Sequence, residues 1–171
     1  MNKKIFTTAI ISIMAISFFA SCGGGGQSVT INGVRWATRN VDTPGSFVRN
    51  PSDAGGLFTW YAAQDACPRG WRLPTIEELQ SLRSAAGGEW TAVNGVNGRT
   101  FGTAPNLIFL PAAGLRGSSD GVLHFVGTSG GYWSSTQGDG THAPNLWFDS
   151  GSSLVDYNWR AGGFSVRCVA E

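Results

Sequence analysis

The chain has 171 residues, with twelve Lys and Arg against eleven Asp and Glu, 25 glycines and seven tryptophans. That is length for one ordinary domain. Both lysines fall in the first four residues, so ten arginines face eleven acids beyond them, which argues against nucleic acid or another polyanion as general partner.

The N-terminus opens with basic Met1-Asn2-Lys3-Lys4, continues with mostly apolar Ile5 to Phe19, and reaches Ala20-Ser21-Cys22. This predicts a secretory signal over 1–21 that ends at a lipobox-like site, with Phe19 where Leu is usual and an uncleaved anchor helix as the alternative. Cleavage would leave Cys22 as a lipidated N-terminus. Several acyl chains would hold it to a membrane, since each buried methylene adds only about 0.8 kcal/mol. Residues 22–28, rich in Gly, then read as a flexible tether, and 29–171 as the domain.

In "VTINGVRWATRNV" (29–41) the Asn32-Gly33 pair predicts a hairpin between two short strands. Residues 42–56 carry the Pro, Gly, Asp and Ser of a loop. A short helix is predicted within 57–67, stopped by Pro68. Next, Thr75 and Glu78 form a Thr-x-x-Glu capping box, Ile76, Leu79 and Leu82 recur at helical spacing, and Gly87-Gly88 stops a helix over 75–86. Beyond Gly88, "GVNGRTFG" reads as turn, 106–114 as a central strand, and 120–127 as an alternating strand. Short strands are predicted at 131–136 and 145–150, and a buried one carrying Cys168 over 163–171. The order, strands then two helices then several short strands, predicts an α+β fold in a single domain.

Cys22 aside, two cysteines remain, Cys67 and Cys168. In an exported chain a pair is the default reading, with two buried free thiols the alternative. Such a bridge would close a loop of about 100 residues, for which chain entropy gives about 4–5 kcal/mol.

"ACPRGWRLPTIEEL" (66–79), "GYWSST" (131–136) and "GFSVRCV" (163–169) together resemble the major paralogous domain of Fibrobacter and Bacteroidetes surface lipoproteins. That resemblance implies a C-type-lectin-like fold, short mixed or antiparallel sheets with two helices. It also implies a disulfide tying the first helical stretch to the last strand, and a lipid-anchored place at the bacterial outer membrane, on the cell surface. "GYWSST…APNLWFDSG…NWRAGGFSVRCV" is also similar to the variable region of proteins diversified by retroelements. There, adenine-directed mutagenesis rewrites codons on a lectin-like display surface. Residues 138–163 contain no Lys, Glu, Gln or Met, which an adenine-randomised Asn codon cannot give, although Trp147 and Trp159 depart from that rule.

Within 145–150, strand alternation sends Leu146 and Phe148 to the core and Trp147 to the wet face with Asp149. Tyr157 and Trp159 share a parity if their segment is extended. The expectation is an exposed cluster of Trp147, Tyr157 and Trp159 edged by His142, Asp149 and Asp156. The ligand-binding candidates are Asp139, His142, Pro144, Trp147, Asp149, Leu154, Asp156, Tyr157, Asn158 and Trp159. Aromatic rings bring large contact area with few rotors to freeze, as binding hot spots require. Trp36, Trp60, Trp71, Trp90 and Trp133 are expected in the core or at its rim.

Other chemistries lack their residues. His142-Ala143-Pro144-Asn145 has no acid before its Pro-Asn, and no Trp-Asn-Asp run exists for a calcium-dependent sugar site. No metal or cofactor is expected. No nucleophile elbow or catalytic carboxylate pair stands out, and no enzyme is expected. Two function classes remain. One is a ligand-binding lipoprotein that meets a protein or glycan through 138–163; the other is a structural or assembly subunit of the cell surface.

Overall fold

A computed structural model describes residues 28–171. The expected leader 1–21, Cys22 and the tether as far as Gln27 lie outside the described residues. Ser28, assigned above to the tether, opens the first strand. β1 (Ser28–Ile31) and β2 (Val34–Ala37) form the expected hairpin. Its turn places Asn32 and Gly33 at φ 49° and 81°, the left-handed region that Asn and Gly tolerate.

The two helices among the described residues are α1 (Trp60–Ala63) and α2 (Ile76–Ser84). The capping box forms as the sequence predicts. Thr75 Oγ1 accepts from the Glu78 amide, and the Glu78 carboxylate accepts from the Thr75 amide at 2.8 Å. That carboxylate also holds Arg72 in a two-pronged ion pair at 2.6 and 2.8 Å. Leu79 and Leu82 are the buried face of α2.

The remaining strands are β3 (Trp71–Arg72), β4 (Trp90–Val93), β5 (Val96–Thr103), β6 (Asn106–Pro111), β7 (Leu115–Arg116), β8 (Leu123–His124), β9 (Ser129–Trp133), β10 (His142–Asp149), β11 (Ser153–Trp159) and β12 (Val169–Ala170). They pair in the orders β1-β2-β12-β3, β11-β10-β9, β4-β5-β6 and β7-β8. Every strand pairing is antiparallel. The described residues are thus mostly β with two helices in one domain.

Three expectations need correction. The stretch read as turn around "GVNGRTFG" is the hairpin β4–β5, bent at Asn94-Gly95, and it makes β5 the centre of its sheet while β6 takes an outer position. The alternating strand at 120–127 shrinks to Leu123–His124. Residues 163–168 are buried, but only 163–165 form bridges, each isolated, so only Val169–Ala170 counts as strand.

That last segment threads the middle of the molecule. Phe164 exchanges both main-chain bonds with Phe58, Ser165 bonds Gly131 and Trp133, and the Val166 and Cys168 carbonyls accept from Val41 and Ala37. Arg167 is 1% exposed. It donates to Asn40 Oδ1 at 2.9 Å, the Ala37 carbonyl at 3.1 Å and the Phe109 carbonyl at 3.0 Å, joining β2, β6 and the C-terminal segment. Burial pulls its guanidinium down to about 10, which still leaves it charged at neutral pH. Cys67, just past α1, is bonded to Cys168 with Cα atoms 6.0 Å apart.

Two hydrophobic clusters flank the sheet β11-β10-β9. Leu146, Phe148 and Tyr132 join one with Leu79, Leu82 and Trp36, while Ala143 and Trp133 join the other with Trp60, Phe164 and Cys168. Trp36, Trp60 and Trp133 are buried, and Trp71 and Trp90 are half-buried at the rim.

Candidate functional site

The surface expected at 138–163 is built on the hairpin β10–β11. Its turn is closed by Asp149, whose amide donates to the Ser152 carbonyl at 3.0 Å and whose Oδ1 accepts the Gly151 and Ser152 amides, both at 2.8 Å. These amides hold the carboxyl below the usual carboxylate range. Asp139 does the same at the start of β10. Its Oδ1 accepts the amides of Thr141 at 2.7 Å and His142 at 2.6 Å, and its carboxyl is likewise held low. Both acids therefore shape loops.

The turn fixes the register, with His142 opposite Trp159, Pro144 opposite Tyr157, and Trp147 opposite Leu154. Residue numbers of a pair sum to an odd value, so odd positions of β10 share a face with even positions of β11. Trp147, Leu154, Asp156 and Asn158 therefore lie on one face. His142, Pro144, Tyr157 and Trp159 lie on the other.

The single aromatic cluster does not form. Leu146 and Phe148 go to the core as expected, both 0% exposed. Trp147, however, is half-buried, with its ring edge-on to Phe164 at 6.3 Å and to Phe125 at 5.9 Å. Asp149 reaches solvent because it ends the strand, so its exposure does not make the Trp147 face a wet one. Pro144 is buried and cannot meet a ligand. Tyr157 and Trp159 do protrude, at 53% and 55% exposure, and the Trp159 ring lies 4.2 Å from the His142 ring. Leu154 and Asp156 are exposed, and Asn158 is half-buried.

The structure adds a neighbour that sequence reading missed. The loop after β7 exposes Val122, Leu123, Phe125 and Val126, each more than half. Phe125 has φ 59°, and it reaches Trp147. Asp120 and His124 pair across this loop at 3.0 Å. Between the loop and the hairpin lies a cleft of about 210 Å³, lined by Arg116, Asp120, His124, Asn158 and Phe164 among others. The signal was available in "DGVLHFVG": apolar residues on both parities leave no polar face for a half-buried strand, and Asp-Gly at one end favours a turn.

Among the described residues no group of three or more His, Cys, Asp or Glu could hold a metal ion. No described helix is long and apolar enough to cross a membrane. The family of a domain of unknown function, DUF8237, matches residues 102–169, the part of the chain that carries the exposed loop and both strands of the hairpin. No curated protein and no solved structure matches the chain.

Proposed function

We propose that the chain is an extracytoplasmic binding protein, lipid-anchored through Cys22 at the bacterial outer membrane, which meets its ligand with the surface of β11 and the loops beside it. In this reading its fold is C-type-lectin-like, as in the major paralogous domain lipoproteins, and 138–163 is a display region of the retroelement-diversified kind. The observation that carries the reading is the contrast of exposure within one hairpin. Tyr157, Trp159 and Leu154 are 53%, 55% and 40% exposed on β11, while Leu146 and Phe148 on β10 are fully buried. Side chains on such a strand can change without disturbing the frame beneath them. The disulfide from Cys67, just past α1, to Cys168, the residue before β12, supports the lectin-like assignment.

Comparison of 138–163 among sibling cells tests it. Differences are expected at 154 and 156–159, at template adenines, with a near-copy of the coding end and a reverse transcriptase gene nearby. Differences concentrated at Leu146 and Phe148 would refute the display.

A second reading, a permanent subunit of a surface assembly, is favoured by the exposed apolar run Val122, Leu123, Phe125 and Val126. Under that reading, extraction from membranes returns one stoichiometric partner, and Phe125→Asp releases it.

A further inference from the structure

The main chain of β11 carries recognition groups of its own. Asp149 and Arg160 donate across the hairpin to Ser152 and Thr141, which marks odd positions of β10 as those bonded to β11. Ser134 donates to Pro144 on the opposite edge, so even positions of β10 serve β9. By the alternation of an antiparallel ladder, Leu154, Asp156 and Asn158 bond to β10, and Ser153, Val155, Tyr157 and Trp159 turn their N–H and C=O groups outward. β11 is the end strand of its sheet, so nothing in that sheet receives them.

Three of these outward groups are occupied. Arg83 Nε donates to the Ser153 carbonyl at 2.7 Å, Asp156 Oδ1 accepts the Tyr157 amide at 2.8 Å, and the Gly162 amide donates to the Trp159 carbonyl at 2.8 Å. The Ser153 N–H, the Val155 N–H and C=O, the Tyr157 C=O and the Trp159 N–H have no partner among the described residues. They lie between exposed Tyr157 and Trp159 on one face and exposed Leu154 on the other.

We propose that this edge is a strand-addition site for an extended peptide of another protein, with Asp156 as its gate and charge filter. The inference rests on the binding role proposed for β11 and names its mode. Main-chain bonds supply affinity, and alternate side-chain contacts supply selectivity. To complete the ladder, an incoming carbonyl must take the Tyr157 amide from Asp156. The freed carboxylate then requires a cation, so the fitting peptide carries Lys or Arg on that face and aliphatic residues toward Tyr157 and Trp159. A second copy of β11 fits poorly. A two-fold antiparallel pairing through the outward groups that is centred on Val155, Asp156 or Tyr157 sets Asp156 opposite its own counterpart or one diagonal step away, a like-charge contact.

The test uses the folded chain and blocked eight-residue peptides alternating Val and Thr with one central Lys. Binding is expected to slow amide exchange at Val155 and Trp159. Changing that Lys to Glu should weaken binding at least tenfold against the wild type and much less against Asp156→Ala. N-methylation along one peptide edge should abolish binding. Val155→Pro should abolish it too, yet keep the fold, because the lost N–H points away from β10 and proline is tolerated on such an edge. Three results would each overturn the proposal: no exchange protection even with Asp156→Ala, equal binding by Val155→Pro, or edge protection that grows with protein concentration without peptide. Since Val155→Pro leaves the exposed rings in place, a failure here is separable from failure of the display itself.

Discussion

Strand β10 is bonded along both edges and packed on both faces, whereas its hairpin partner β11 pairs with a strand along one edge and has no strand along the other. From Ala143 to Leu146 every residue of β10 is buried, while every position of β11 is exposed or half-buried. The same register and the same turn thus hold one strand that specifies the frame and one that presents side chains. Position in the sheet decides the role: each large apolar side chain buried on β10 contributes about 1.5–3 kcal/mol, and those exposed on β11 stay in water.

Truncation should expose that difference most strongly. Leu146→Ala empties a fully buried site between α2 and the sheet and should cost about 2–5 kcal/mol, read from the denaturation midpoint. Trp159→Ala removes a ring that is 55% exposed, with its contact to His142, and should cost about 1 kcal/mol or less. Equal losses would mean that β11 belongs to the core after all.

A smaller effect separates the sheet's buried face from the hairpin tip. Gly131 on β9 lies under Phe164 and Trp147, and a Cβ there would collide with the Phe164 ring and stand 3.1 Å from Trp147 Cε3. Gly131→Ala should cost about 1–3 kcal/mol by overpacking and shift the Trp147 indole resonance. Gly151→Ala, at the tip, meets only Asp149 Oδ1 at 3.6 Å and should stay within about 0.5 kcal/mol.

Local signals in the sequence were read correctly where one segment held the whole cause. The capping box, the Asn32-Gly33 turn and the burial of Leu146 with Phe148 each depend on neighbours in the chain. The Cys67–Cys168 bond was the default reading of two cysteines in a chain expected to be exported. What failed depends on pairing. Trp147 and Tyr157 have equal parity in sequence, yet the register puts them on opposite faces, and only the turn at Asp149 decides that. Asn94-Gly95 is a hairpin signal that the reading of 95–102 as turn did not use; Gly98 fits in β5 because the Phe109 ring lies over it, a tertiary reason no local pattern carries. Arg167 was invisible as a core residue because its three acceptors come from distant segments.

The gentlest separation of the two strands is by acid. Asp149 keeps a depressed pKa chiefly through the Gly151 amide, then the Ser152 amide, both of which bind the charged form. A carboxyl whose folded pKa lies below its unfolded one stabilises fully above the unfolded value. That contribution is lost as pH falls through the folded value. Below about pH 4 the tip 149–152 should therefore loosen first, with faster relative amide exchange at Gly151 and Ser152, while the amides joining β9 to β10 keep their protection. Asp149→Asn retains a neutral Oδ1 acceptor and should flatten the pH dependence without freeing the turn. Asp149→Ala should free it at all pH values. If β9–β10 amides were released at the same pH as Gly151, the hairpin would open as one unit, and the distinction between a fixed strand and a displayed one would lose its dynamic meaning.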